Sequence, residues 1–186
     1  MYDLSGLNNM KHGSITKVML TSLSLLLVMF LFAGSTAQGF NPLPLDSNIG
    51  QQAPGFILND LAGNEISLES FIGKPVLLNF WATWCPYCRK ERSHLNDLYK
   101  EYKDKGLVIL SISTDRSSKK LKQYMEKTPA DFIVLSDSEG RVSSSYNIMG
   151  LPSSLLIDRK GIIKYKFTGF REWSSQGSRT LIDSLF

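Results

Sequence analysis

Cysteine and histidine are scarce in this chain, two of each among 186 residues. Small secreted domains held together by disulfides are dense in cysteine, so that class is excluded. A structural zinc site takes four ligands. Cys85, Cys88 and His94 do not complete one, because His12 lies in what reads as a targeting segment. A metal or other cofactor is therefore not expected, beyond a redox-active Cys85–Cys88 disulfide. Charge of one sign is also lacking. The net charge is +4, and the charged residues are scattered rather than clustered. That argues against a nucleic-acid partner. There is no internal repeat and no low-complexity segment. What remains is ordinary for a globular protein, 42% hydrophobic and 11% aromatic, enough for one domain with a sizeable core.

The longest uncharged run lies near the N-terminus. Lys11, His12 and Lys17 precede an apolar stretch from Val18 to Ala33, followed by Ser35-Thr36-Ala37. A basic region, an apolar region and a small-x-small site describe a secretory signal. At about 16 residues the run is short of the roughly 20 that span a bilayer, so cleavage after Ala37 is favoured over an uncleaved anchor. No cysteine stands near the site, which disfavours a lipoprotein. Removal of residues 1–37 would take away Lys11, Lys17 and Asp3, moving the net charge from +4 to +3. Either outcome puts the folded part outside the cytoplasm. Residues 38–52 contain Pro42 and Pro44 without periodicity and read as a linker. Residues 53–186 read as the domain.

Within the domain, Phe56–Asn59 and Ile66–Leu68 flank the turn-forming Asp60–Asn64 and predict a hairpin. Pro75–Trp81 is an almost unbroken apolar run, as in a strand buried on both faces. Pro86 opens a helical pattern carried by Leu95, Leu98, Tyr99 and Tyr102, which Gly106 ends. Leu107–Ile112 is a second buried strand. Ser117-Ser118 cap a helix with Leu121, Tyr124 and Met125. Phe132–Leu135 is a strand, and Val142–Tyr146 is about one helical turn. Ser154–Ile157 and Ile162–Phe167 form a late hairpin around Asp158–Gly161. Trp173–Phe186 reads as a final helix. This order predicts an α/β fold: a mixed sheet with a parallel centre and helices on both faces.

The two cysteines stand together as Cys85-Pro86-Tyr87-Cys88, where a buried strand gives way to a helix. A bridge between them closes a very short loop, worth far less than the roughly 3 kcal/mol of a 15-residue loop. A structural staple is therefore a poor reading, and a dithiol/disulfide switch a good one. Pro86 suits a first helical turn, so Cys85 sits at the helix N-terminus. Free N–H groups and the helix dipole favour a thiolate there. Cys85 is the expected attacking sulfur. Cys88, nearly one turn on and less exposed, is expected to resolve the mixed disulfide.

The segment Asn79-Phe80-Trp81-Ala82-Thr83-Trp84-Cys85-Pro86-Tyr87-Cys88-Arg89-Lys90-Glu91 resembles the thioredoxin superfamily. Within it, the resemblance is to the TlpA-like branch (ResA/CcmG type) of extracytoplasmic thiol–disulfide oxidoreductases. Ala53–Phe56, Gly150-Leu151-Pro152 and Leu155–Asp158 with Gly161 also fit, so the resemblance covers about residues 50 to 170. It implies a thioredoxin fold with an added N-terminal hairpin. Pro152 aligns with the family's cis-proline, which faces the dithiol and offers backbone contacts to a partner peptide. Glu91 matches an acidic residue thought to tune the cysteines and move protons. The bland reading of Glu91 is a solvated charge like Arg89, Lys90 and Arg92. Trp84, Pro86, Tyr87 and Leu151 are expected to border the docking surface, Trp81 to pack in the core, and His94 to be an exposed helix residue.

The resemblance further implies a monomer that reduces protein disulfides, such as the haem-binding cysteine pair of apocytochrome c. Its electrons would come from a membrane dithiol donor of the DsbD/CcdA type. Absences qualify this. Asn79 stands where thioredoxin itself carries a buried Asp, which leaves proton handling to Glu91. No Gly-Gly pair follows the cis-proline segment, so glutathione binding is not expected. Ser153 stands where the CcmG branch often has Glu, which leaves cytochrome c maturation open. Two other activities compete: a peroxiredoxin-like thiol peroxidase (AhpC/TSA type), and a disulfide oxidase of the DsbA type. The first lacks the proline of a peroxidatic-cysteine setting. The second shares the chemistry and differs in direction.

Overall fold

The run Val76–Trp81 forms β3, and every one of its six residues is buried. Strand geometry alternates its side chains between two layers. Leu77 and Trp81 join one core, while Val76, Leu78 and Phe80 join the other. The description covers residues 48–186 of a computed structural model. The signal or anchor expected over residues 1–37, and residues 38–47 of the expected linker, lie outside the described residues. Among the described residues no helix is long and apolar enough to cross a membrane.

The elements run β1 (Ile57–Asp60), β2 (Glu65–Ser67), a 3-10 turn (Leu68–Phe71), β3, α1 (Pro86–Tyr102), β4 (Val108–Ser113), α2 (Ser118–Lys127), β5 (Ile133–Ser136), α3 (Arg141–Ser145), β6 (Ser153–Ile157), β7 (Ile163–Thr168) and α4 (Gln176–Asp183). The seven strands form one sheet in the order β2-β1-β5-β4-β3-β6-β7. Strands β3, β4 and β5 are parallel, and the two hairpins at the flanks are antiparallel. The first hairpin joins the sheet through β1, antiparallel to β5. That is a long-range pairing which local patterning does not reveal.

One core, between the sheet and α1, α2 and α4, contains Cys85, Cys88, Leu95, Leu98, Leu121 and Trp173. The other, beneath the 3-10 turn and α3, is built from residues such as Leu78, Phe80, Leu110 and Tyr146. The final helix begins at Gln176 rather than at Trp173, because Ser175 caps it by accepting from the Ser178 amide. Trp173 is fully buried ahead of it.

Residues 50–52, expected as linker, are tied to the domain. The Gly50 amide donates to the Ile163 carbonyl at 2.8 Å, and Gln52 bridges to Ile162. The chain thus joins the domain beside the β6–β7 turn.

Candidate active site

Helix α1 starts at Pro86, with Cys85 as its N-cap. The Cys85 sulfur accepts the Cys88 amide N–H at 3.2 Å. It therefore occupies the place of the side-chain oxygen in an ordinary cap, facing otherwise unpaired helix donors. The two sulfurs are joined as a disulfide, with Cα atoms 5.3 Å apart. Both cysteines are buried, Cys88 slightly more than Cys85. The loop ahead of them is pinned by Asp115. Its carboxylate accepts from the Thr83 amide and hydroxyl at 2.8 Å each, and from Ser113 Oγ at 2.7 Å. Trp84 and Tyr87 remain 69% and 65% exposed. Pro86 is exposed as well.

The Leu151–Pro152 peptide is cis. Antiparallel pairing of Phe80 with Ser153 carries Pro152 to the end of β3, from which residues 82–84 lead to the disulfide. Leu151 packs against both cores, one of which holds the two cysteines. The Pro152 carbonyl accepts the Gly169 amide at 2.7 Å.

Glu91 is not a solvated helix charge. Cys88, Glu91, Arg92, Leu95, Leu98 and Tyr102 form the buried stripe of α1, with helical spacing. The Glu91 residue is 1% exposed. Its Oε1 accepts from the Arg171 amide and from Trp173 Nε1, each at 3.0 Å, and its Oε2 from Asn79 Nδ2 at 3.1 Å. Asn79 Nδ2 also donates to Ser154 Oγ at 3.1 Å. Burial pushes the carboxyl up to about 7, and the three donors with the nearby Arg171 charge only partly offset it. Desolvation wins because neutral donors and a half-exposed guanidinium replace bulk water incompletely.

Arg92, grouped by sequence with the solvated charges, is buried too, at 7% exposure. Its guanidinium lies 4.8 Å from the Trp81 ring centroid and 5.8 Å from that of Tyr124. Nη2 donates to the Thr128 carbonyl at 2.7 Å, at the C-terminus of α2, and Nη1 meets Met125 Sδ at 3.1 Å. Trp81 is core, as expected, and its indole N–H has no hydrogen-bond partner among the described residues. His94 is only half-buried: its Nδ1 lies 2.8 Å from Ser174 Oγ and its ring meets Phe170 edge-on.

Sequence reasoning missed Trp173 and Arg171, which complete the Glu91 site, and Asp115, which holds the cysteine loop. No local signal points to the first two, because they lie 80 residues or more from Glu91. The helical period, extended back from Leu95 to Cys88, is the signal that could have placed Glu91 and Arg92 on the buried stripe, but Arg92 was grouped with the solvated charges. Among the described residues, no group of three or more His, Cys, Asp or Glu could hold a metal.

A mixed sheet, a strand–CxxC–helix junction and a cis-proline beside it are the features of a thiol–disulfide oxidoreductase of the thioredoxin superfamily, and its relatives place it in the TlpA-like branch. The chain belongs to the AhpC/TSA family, whose model matches residues 49–166. It is 36% identical over 147 residues to the thiol-disulfide oxidoreductase ResA of Bacillus cereus, covering 77% of this chain and 85% of that protein. It is 41% identical over 118 residues to the thioredoxin-like protein YneN of Bacillus subtilis, covering 62% and 68%. Among solved structures, the thioredoxin domain of a thiol-disulfide oxidoreductase from Bacteroides vulgatus superposes with a TM-score of 0.65 at 33% identity. That match covers 74% of this chain and 98% of the other.

Proposed function

We propose that this protein reduces protein disulfides outside the cytoplasm, with Cys85 as nucleophile and Cys88 as resolving thiol. The observation that carries the reading is Cys85 as the N-cap of α1, its sulfur accepting the Cys88 amide. In the reduced enzyme the same helix N-terminus stabilises a Cys85 thiolate. That thiolate attacks one sulfur of the substrate disulfide. A mixed disulfide forms, and the other substrate sulfur leaves as a thiolate that takes up a proton. Cys88 then loses its proton and attacks Cys85. The mixed disulfide breaks, the second substrate sulfur leaves as a thiolate and takes up a proton, and Cys85–Cys88 is oxidised. Two electrons pass from the dithiol to the substrate, with two protons, one lost by Cys88 and one from solvent.

Glu91 takes the proton roles in this reading. Buried one turn beyond Cys88, with its carboxyl pushed up to about 7, it exchanges a proton near neutral pH, as a general acid–base should. Pro152 and Leu151 present backbone to the substrate segment, and Trp84, Pro86 and Tyr87 border it. The resemblance to ResA-type proteins supports apocytochrome c cysteine pairs as substrates. It also supports a membrane dithiol donor of the DsbD/CcdA type and a monomeric protein. Residues 1–37 would deliver or tether the domain. A membrane donor fits the chemistry, because an oxidising compartment does not keep such a dithiol reduced.

The test is the reduction potential of the Cys85–Cys88 couple, measured by equilibration in defined thiol buffers. A reductant is expected near or below about −250 mV. A value near about −120 mV overturns the direction and makes the protein a disulfide donor.

A further inference from the structure

Exposed apolar side chains gather at the sulfur end of the domain. Trp84 and Tyr87 flank Cys85, and Met149, 92% exposed, stands three residues before Pro152. Phe170 follows Gly169, whose amide is bonded to the Pro152 carbonyl. Its ring lies 4.8 Å from the Lys90 ammonium, in the second turn of α1. Three separate chain segments thus bring large apolar surface to one rim. Such a concentration marks an interaction site rather than ordinary scatter.

The charges on this rim are predominantly positive. The first turn of α1 has no acidic residue, and Arg89 is exposed there. Arg116 is exposed immediately after Asp115, whose carboxylate holds Thr83 beside Trp84. Neither Arg89 nor Arg116 has an acidic partner within the described residues. Arg171, by contrast, is committed to Phe167 and Ser178. Glu172 is the exposed carboxylate of the rim, two residues beyond Phe170, and Glu91 is buried. A substrate segment crossing the sulfurs therefore meets apolar contacts flanked by two uncommitted guanidinium groups.

We propose that this rim selects disulfide-bearing segments that are extended, carry an apolar side chain beside the attacked cysteine, and have acidic residues flanking it. The guanidinium groups steer and align such a segment, and the apolar rim seats it. This rests on the reading of Cys85 as the attacking sulfur.

The test uses Cys88→Ser in the full chain, which leaves Cys85 to form a mixed disulfide that is not resolved. Two peptides carrying the same intramolecular disulfide and the same neighbouring Leu differ only in flanking Glu or flanking Lys. Capture rates are read by mass spectrometry at low salt and at high salt. The Glu peptide is expected to be captured roughly tenfold faster at low salt, with the difference shrinking toward unity as salt screens it. Adding Arg89→Glu and Arg116→Glu together is expected to erase or invert the ratio. The ratio is internal to each variant, so a general loss of folded protein does not imitate the effect. Equal capture, or faster capture of the Lys peptide by the parent, overturns the proposal and leaves Cys85 as nucleophile intact. Failure to capture either peptide overturns the reading of Cys85 as well.

Discussion

Glu91 and Arg92 are neighbours in the chain, both buried and both ionisable, yet their surroundings treat charge in opposite ways. Glu91 points to Asn79 of β3 and the segment before α4, where its polar contacts are two side-chain N–H donors and a backbone amide. Arg92 points to the end of α2, where it meets two aromatic rings, a sulfur and a carbonyl at a helix C-terminus. The first environment holds a carboxyl that still titrates near neutrality. The second suits a permanent cation, since aromatic faces and helix C-termini both attract positive charge. A turn of about 100° along one helix separates a carboxyl whose pKa is raised to about 7 from a buried cation. Burial alone does not tell which buried charge is available for chemistry. The donors and acceptors around it do.

The sharpest way to break this contrast is to remove the titration. Folded Glu91 holds its proton up to about pH 7, against 4.5 for the free side chain. A group whose pKa is raised by folding contributes stability that is complete below pH 4.5 and lost as pH rises through 7. Glu91→Gln stays neutral throughout. Its stability relative to the parent is therefore expected to rise by about 3 kcal/mol between pH 4.5 and pH 8. Urea unfolding midpoints across that range measure it, and a flat difference would contradict the buried titrating carboxyl. The same variant is expected to flatten the pH profile of disulfide reduction near pH 7.

Next in size is Arg92→Ala, expected to cost about 2 kcal/mol through lost packing and an unpaired Thr128 carbonyl. The cost should be the same at pH 4.5 and pH 8, because a guanidinium does not titrate there. Arg92→Met, of similar length, is expected to restore most of it. A pH-dependent cost would erase the distinction between the two sites. The smallest change is Trp173→Phe, which removes one N–H donor from Glu91. It is expected to cost about 1.5 kcal/mol at pH 8, and much less at pH 4.5 where the carboxyl is neutral. The Glu91 titration should move up by about one unit. A carbon-13 NMR titration of the carboxyl follows that shift.

Much of the fold was legible because its elements carry their own signals. The continuous apolar run of β3, the helical spacing in α1 and the turn residues at Asp60–Asn64 and Asp158–Gly161 each state a local preference that the tertiary structure keeps. The strand–helix junction placed Cys85 at a cap by local rules alone. Missing were one local turn and the features made by distant pairings. The 3-10 turn at Leu68–Phe71 follows directly on β2 where a strand was expected to extend. The β1–β5 pairing and the Trp173–Glu91 hydrogen bond join segments that share no local pattern. Arg92 was misjudged because residue type was weighed above its place in the apolar period.

The point where the chain joins the domain sets a direction. Gly50 and Gln52 are fastened beside the turn after β6. Ile157, at that end of β6, pairs with Val76, the first residue of β3. The sulfurs follow the last residue of β3, five strand rises or about 17 Å further along. The place where residues 50–52 enter the domain and the strand end that leads to the disulfide therefore lie at opposite poles, separated by the length of a single strand.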